Sequence, residues 1–274
     1  MIVIGEKINA TRKSIKTAIL DQDANTIKSQ IEAQDKAGAH YIDLNAGTGS
    51  GDEQQEMKDI KWLIDIALDT TEKKLGIDSA NPKIIQSAAE HLNNRRPWMI
   101  NSIKKEKHIM DELLPLSAEH DVPVVALAMD EDGIPQTAEA RLTVCKYIAD
   151  AADKKGVPAE HLFFDPLVMP VSSDYKGAAV TFKTIDSIKE HITGAKTTMG
   201  LSNVSFGLIE RTRVNQAFLI AALSHGLDSA ICDPTRQSVR DAILLGDLIA
   251  GNDKFCRKFV RTVRKGEFGQ AKPS

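Results

Sequence analysis

The chain has 274 residues, of which 42% are hydrophobic, so it is long and apolar enough to bury a sizeable core. Lys and Arg number 35 and Asp and Glu 38, and this near balance, a net charge of -3, argues against nucleic acid as a partner. The first apolar run is too short for a signal peptide or membrane anchor, and the three dispersed cysteines show no metal-binding spacing. We therefore expect a cytoplasmic protein with no metal site and no membrane partner.

Short β-rich runs alternate with longer amphipathic segments along the chain. The clearest helical segment carries Leu142, Cys145 and Ile148 on one face and ends at Gly156. Strict alternation of strand and helix predicts an α/β fold, a single (β/α)8 TIM-barrel domain over residues 1–274. An open doubly wound sheet is the alternative, but no glycine-rich dinucleotide motif follows the first strand. The eight predicted strands lie within residues 1–5, 41–47, 74–82, 98–102, 123–130, 161–169, 196–203 and 226–234.

Each predicted strand ends in a polar residue. In a TIM barrel these ends converge on one mouth, although Asp and Asn are also common helix caps. Asp78 favours the mouth, because Asn81 already fits the cap position before Pro82. Asp165 does so too, because Pro166 favours an extended backbone there. The polar residues are Glu6, Asp43 with Asn45, Asp78, Asn101, Asp130, Asp165, Asn203 and Asp233.

These strand ends carry carboxylates and amides and lack a Lys/Arg cluster. A phosphate-rich substrate is therefore disfavoured, and so is metal-assisted hydrolysis, because no His/Asp/Glu set has metal-ligand spacing. A flat heterocycle with several N–H donors and a carbonyl suits these groups, since carboxylates accept N–H bonds and amides both donate and accept.

Several of these motifs together resemble the pterin-binding methyltransferases that move a methyl group between tetrahydrofolate and a corrinoid protein. The resemblance covers nearly the whole chain, and dihydropteroate synthase belongs to the same barrel superfamily. The matching runs are IGEKIN (4–9), YIDLNAG (41–47), GIDSANPK (76–83), MINS (99–102), DEDGIP (130–135), FFDPLVMP (163–170) and GLSNVSFG (200–207).

The resemblance implies roles for seven residues. Two carboxylates and the Asn101 amide would hold the amino-pyrimidine edge of the pterin, and Gly200 and Ser202 would let the ring approach strand seven. Asn203 would be the catalytic amide near N5, able to donate or accept by rotating. Arg211 would reach toward the ligand. The matching positions are Asp78, Asn101, Asp165, Gly200, Ser202, Asn203 and Arg211.

The resemblance also implies a reaction and partners. A methyl group would pass between N5 of tetrahydrofolate and a corrinoid (cobalamin) carried by a partner protein, in a direction that the sequence leaves open. The family further implies a homodimer assembled through outer helices. Two alternatives are dihydropteroate synthase and a non-catalytic folate-binding protein. The former needs cations at the ends of strands seven and eight, which read GLSN and AICDP.

Two further segments carry expectations. The connection at 167–179 is long for a βα loop and is either a lid or docking surface or an ordinary loop. In the basic tail, we expect Phe255, Phe259 and Val263 to pack on the barrel.

Overall fold

Eight parallel strands alternate with helices in the computed structural model, which describes residues 1–49 and 51–269. Each predicted strand region overlaps one of the strands, although β1 and β4 extend beyond their predicted ends. The strands are β1 Ile2–Asn9, β2 Tyr41–Asn45, β3 Lys74–Asp78, β4 Trp98–Lys105, β5 Val124–Asp130, β6 Leu162–Asp165, β7 Lys196–Thr197 and β8 Ser229–Cys232. The α-helices are α1 Lys13–Leu20, α2 Ala24–Lys36, α3 Glu53–Thr70, α4 Pro82–Leu92, α5 Lys107–His120, α6 Ala138–Lys154, α7 Gly177–His191, α8 Arg211–Ser224, α9 Gln237–Ile249 and α10 Arg257–Arg264.

Hydrogen bonding continues around the whole barrel. The strands pair in sequence from β7 down to β1, and β1 also pairs with β8. The ring closes between β7 and β8 through a bridge of Gly200 with Ile231, whose N–H donates to the carbonyl of Met199 at 2.8 Å. The predicted TIM barrel is therefore confirmed.

The barrel interior is apolar at its base and polar at the carboxyl ends of the strands. Ile4, Met99, Val125 and Phe163 form a buried cluster inside the barrel. Lys196 places its Nζ 4.9 Å from the centre of the Phe163 ring and covers it from one side. Because side chains alternate along a strand, the next inward positions lie at the carboxyl ends of the strands. The apolar plug thus forms a base beneath the polar strand ends.

The first turn of α4 bears out the predicted cap. The Asn81 side chain accepts a hydrogen bond from the N–H of Lys83 at 3.1 Å, and Pro82 is the first helical residue. Asp78 is therefore not needed as a cap and is available to the barrel mouth. Among the helices of the described chain, none combines the length and the apolarity needed to cross a membrane.

Strand seven is shorter than predicted. Regular pairing covers Lys196–Thr197, and the chain then turns into a short 3-10 helix at Leu201–Asn203. The turn forms because the N–H of Asn203 bonds back to the carbonyl of Gly200 at 3.4 Å and the Ser202 hydroxyl bonds to a carboxylate on β1. The turn brings Asn203 to the mouth.

The C-terminal tail also differs from prediction. Phe255 is 85% exposed and Val263 is 44% exposed, so neither packs on the barrel as expected. Phe259 is partly buried and its ring meets that of Phe268 at 5.6 Å. The Asp253 carboxylate accepts from the N–H groups of residues 258 and 259, which places the start of α10 after Phe255 and leaves that ring outside.

Candidate functional site

A cavity of about 740 Å³ opens at the carboxyl ends of the strands. Every residue that the sequence assigned to the site lines this cavity, so the fold brings seven distant positions together. Their roles in binding and catalysis stay predictions. The seven are Asp78, Asn101, Asp165, Gly200, Ser202, Asn203 and Arg211.

The cavity floor contains a carboxylate that the site assignment missed. Asp43 is buried, and both of its oxygens accept hydrogen bonds from the Asn101 amide, at 3.1 and 3.3 Å. In this orientation the Asn101 NH₂ group donates to Asp43, and the Asn101 carbonyl oxygen remains available as a hydrogen-bond acceptor. Asp43 is therefore a positioning residue for Asn101.

Gly76 makes room for Asp43. The two residues are register partners on β2 and β3, and a Cβ on Gly76 would lie 2.3 Å from Oδ1 of Asp43. An acid within a buried strand was visible in the sequence, but its pairing with a glycine depends on strand register. Burial, and secondarily the nearby charge of Asp78, raises the pKa of Asp43 well above its usual range.

Asp78 lies next to Asp43 at the end of β3. Burial raises the pKa of Asp78 to about 6, although a hydrogen bond from the Asn45 side chain lowers it. The Asn9 amide also approaches its Oδ2 at 3.5 Å. Asp78 thus has amide neighbours and no cationic partner in the described chain. Such a carboxylate is well suited to accept N–H bonds from a ligand.

Asp165 is fixed by the loop that follows it. Its Oδ1 accepts from the N–H of Leu167 at 2.8 Å, which is a local turn and not a helix cap. The buried Arg141 guanidinium donates to the carbonyls of Pro166 and Leu167 at 2.6 and 2.9 Å and holds the turn in place. Burial raises the pKa of Asp165 to about 6 against the lowering effect of the Leu167 N–H. Asp165 is therefore charged at pH 7 but held at a desolvation cost.

The turn after β7 carries three of the predicted residues. A Cβ on Gly200 would lie 3.1 Å from Nδ2 of Asn203, so the glycine leaves space for that amide. The Ser202 hydroxyl donates to Oε1 of Glu6 at 3.1 Å, a bond that ties the turn to β1. The Asn203 side chain is exposed and receives no hydrogen bond from residues 1–49 or 51–269. Its amide is free to rotate.

Arginines line the cavity beside these residues, contrary to the predicted shortage of cations. Arg211 was predicted at the site, whereas Arg12 and Arg236 were not. Arg12 donates through Nη2 to Oε1 of Glu6 at 2.7 Å. The prediction failed because it considered only the strand ends, and these arginines lie a few residues farther on, in the following loops. One of the sequence arguments against dihydropteroate synthase is thereby removed.

Not every polar strand end reaches the cavity. Asp130 does not line it, and instead forms an ion pair with Lys105 at 3.4 Å and bonds to Gly133 in its own loop. The DEDGIP turn folds back on itself, and the Asp130 carboxylate accepts a hydrogen bond from the N–H of Asp132 at 3.2 Å. The expectation that Asp130 joins the mouth was wrong.

The chain matches a known protein family over most of its length. Residues 5–233 match the family model described as pterin binding enzyme. The chain belongs to the pterin-binding enzyme family. It is 37% identical to the methylcorrinoid:tetrahydrofolate methyltransferase of Eubacterium limosum over 272 residues, which are 98% of each chain.

Other relatives share parts of this likeness. The methionine synthase of Mycobacterium tuberculosis is 30% identical over 84% of this chain, a match that covers 20% of that longer protein. The solved structure of dihydropteroate synthase from Xanthomonas albilineans superposes with a TM-score of 0.68 at 17% identity and covers 91% of this chain and 93% of that one. The Yersinia pestis dihydropteroate synthase gives a TM-score of 0.66 at 16% identity over 92% and 93%. These two dihydropteroate synthases share the barrel fold with this chain.

The raised pKa of Asp165 predicts a pH-dependent stability. Its pKa of about 6 lies above the ordinary aspartate pKa of 3.8, so the stability that the protonated carboxyl contributes is complete below pH 4 and is lost as pH rises through 6. Asp165→Asn removes this loss. In the ligand-free protein, the advantage of the variant in unfolding free energy should grow by about 1–2 kcal/mol between pH 5 and pH 7.5. Urea unfolding at both pH values measures it.

A matched control is Asp150→Asn, which alters an exposed carboxylate on α6. We expect this change to shift the unfolding free energy by less than about 0.5 kcal/mol at either pH. If the unfolding free energy of Asp165→Asn changed with pH no more than that of the control, the pKa of Asp165 would not be raised by burial.

Proposed function

We propose that this protein transfers a methyl group between a corrinoid, carried by a separate protein, and N5 of tetrahydrofolate. The observation that carries the proposal is the full-length likeness to the Eubacterium limosum methylcorrinoid:tetrahydrofolate methyltransferase. The name of that relative puts the methylcorrinoid first, and we propose the same direction here, toward methyltetrahydrofolate. Free cysteines at Cys145, Cys232 and Cys256 are consistent with work in the reducing cytoplasm.

The cavity floor suits the pterin ring. Asp78 and Asp165 each have a pKa of about 6, so both are ionised at pH 7.5 and accept N–H bonds from the amino-pyrimidine edge. Asn101 offers its carbonyl oxygen, because Asp43 takes its NH₂ group. Because Gly200 has no Cβ, a ring can approach the backbone there beside the Asn203 amide. These groups orient the ring and place N5 toward the mouth.

Asn203 is the proposed catalytic residue. When bound, the corrinoid supplies the cobalt that carries the methyl group. N5 is a hydrogen-bond donor when it bears a proton and an acceptor when it bears a methyl group, so its partner must be able to do both. An amide does so by turning over, and the Asn203 side chain has no competing partner in the described chain. We expect the amide and ordered water to share the movement of the N5 proton.

The corrinoid carrier is proposed to dock over the mouth. A cavity of about 740 Å³ holds one folate-sized molecule, so a corrinoid has to approach from outside. Large apolar side chains stand exposed on the two loops at that edge, with Tyr175 83%, Phe206 65% and Ile209 89% exposed. We call these three side chains the rim cluster. An exposed apolar group beside a cavity is typical of a protein-binding surface.

The two loops form one platform. The N–H of Val171 donates to the carbonyl of Val204 at 3.1 Å, and the Ser172 hydroxyl donates to the carbonyl of Phe206 at 2.7 Å. The 167–179 connection is thus fastened to the turn that carries Asn203. We propose that this connection is a docking surface and not a lid.

We also propose a homodimer assembled through outer helices, as the family resemblance implies. Ile249 at the end of α9 is 65% exposed, and Phe255 lies just beyond it. These apolar side chains lie at the end of α9 farthest from the cavity, so a second copy packed there leaves the mouth open to the corrinoid carrier.

Methyl transfer between methylcobalamin and tetrahydrofolate tests the proposed reaction. The wild type should form methyltetrahydrofolate. Asn203→Ala should keep folate affinity within about threefold and lose at least about 100-fold in turnover, because it removes a hydrogen bond at the reacting atom. Asp165→Ala should weaken folate binding, because it removes a charge-assisted bond of about 1.5–3 kcal/mol. Calorimetry and steady-state rates measure the two effects.

The same experiment separates the alternatives. Folate binding without any methyl exchange would indicate a carrier, and formation of dihydropteroate from a pterin pyrophosphate and p-aminobenzoate would indicate a synthase. Equal effects of the two variants on binding alone would contradict the role assigned to Asn203.

The rim cluster predicts a variant that distinguishes free from carried corrinoid. Phe206→Ser combined with Ile209→Ser should lower the rate with methylated corrinoid protein at least about tenfold and leave the rate with free methylcobalamin unchanged. Leu20→Ser is the control, since Leu20 is an exposed apolar residue at the end of α1. Equal loss with both methyl donors would show that the cluster supports the site and does not bind the carrier.

Sedimentation at micromolar concentration tests the homodimer. We expect twice the chain mass for the wild type and a shift to the single chain mass for Ile249→Ser with Phe255→Ser. A wild type that sediments as a monomer would overturn the assembly but not the proposed reaction.

A further inference from the structure

One side of the cavity is cationic. Arg12, Arg211 and Arg236 follow β1, β7 and β8, which are neighbours in the barrel, and all three line the cavity. We call this the arginine side. The carboxylates and amide proposed to hold the pterin come from β3, β4 and β6 instead, so they occupy a different sector of the mouth from the arginines.

The arginines keep most of their hydrogen-bond donors unused. Arg211 donates through Nε to the Ser205 hydroxyl at 3.1 Å and through Nη2 to the Ser202 carbonyl at 2.9 Å, and it meets no carboxylate in the described chain. Arg236 is 72% exposed, and its Nε lies 3.5 Å from Asp233. Since a guanidinium has five N–H donors, both can bind an incoming anion without breaking these contacts.

The charges on this side do not cancel. Among the described residues that line this side, Glu6 and Asp233 oppose the three arginines, and they pair with Arg12 and Arg236. One positive charge, that of Arg211, is left when both acids are ionised. The arginine side therefore favours an anionic ligand group.

An unsatisfied amide lies on the same side. Asn215 stands one turn after Arg211 on α8 and lines the cavity, and its buried Oδ1 has no hydrogen-bond partner among the described residues. A buried polar atom without a partner is costly, and a ligand N–H would satisfy it. This side of the cavity therefore suits a ligand that carries an anionic group next to an N–H donor.

We propose that the arginine side binds the glutamate end of the folate tail. That tail carries two carboxylates on a glutamate joined through an amide N–H, which matches both the excess charge and the open Asn215 oxygen. This inference rests on the proposed function, because it requires the pterin ring to lie on the opposite sector. The tail then runs from the cavity floor toward β8 and β1 and leaves the β6–β7 edge to the rim cluster.

Binding of three ligands to wild type and Arg236→Gln tests the proposal. The ligands are tetrahydrofolate, its diamide with both glutamate carboxylates amidated, and 6-methyltetrahydropterin, which has no tail. Arg236→Gln should weaken tetrahydrofolate about 5- to 15-fold in calorimetry and change the other two less than about twofold. Arg213→Gln is the matched control, because Arg213 lies on α8 near Arg211, pairs with Glu210 and is absent from the cavity wall.

Each other outcome overturns one specific claim. If wild type bound the pterin and the diamide as tightly as tetrahydrofolate, the glutamate assignment would fail while the proposed function stood. If none of the three bound, the proposed function itself would fail. If inorganic phosphate bound together with tetrahydrofolate, and Arg236→Gln abolished phosphate binding alone, the arginine side would be a phosphate site.

Discussion

Buried carboxylates that have amides and backbone N–H groups as partners, and few cations, are the constraint on which the site depends. Asp43, Asp78 and Asp165 come from three strands, and burial raises the pKa of each. Burying such carboxylates away from water destabilises the ligand-free protein. The fold can include these buried carboxylates because the apolar side chains inside the barrel and under the helices offset their cost in stability. A ligand that donates hydrogen bonds to these carboxylates would recover part of the desolvation cost.

The strand ends were readable from the sequence because burial and function leave different marks on a strand. When an apolar run ends in Asp or Asn, as at Asp78 and Asp165, the polar side chain needs a hydrogen-bond partner, which can be water, the first N–H groups of the next helix or a ligand. The proline after Asp165 and the cap at Asn81 narrowed those choices. Alternation of eight such units then determined the barrel.

Other features depended on three-dimensional neighbours and could not be read in this way. Asp43 stands in a buried strand, and its contact with Asn101 and the space left by Gly76 follow from register between strands that are distant in sequence. Arg12 and Arg236 lie beyond the strand ends, where loop geometry decides whether a side chain turns inward. Asp130 ends its strand like the others, yet its loop folds back and uses the carboxylate for itself.

The turn after β7 lines the cavity and also connects Phe206 at the rim to Asn203 and to Glu6 on β1. The N–H of Phe206 donates to the carbonyl of Asn203 at 3.1 Å, and the Ser202 hydroxyl holds Glu6 on the far side. The Phe206 ring, proposed to contact the corrinoid carrier, and the Asn203 amide are therefore held by the same short stretch of backbone. Contact between a carrier protein and Phe206 would thus act on the position of the Asn203 amide directly, and it would require no large-scale movement of the barrel.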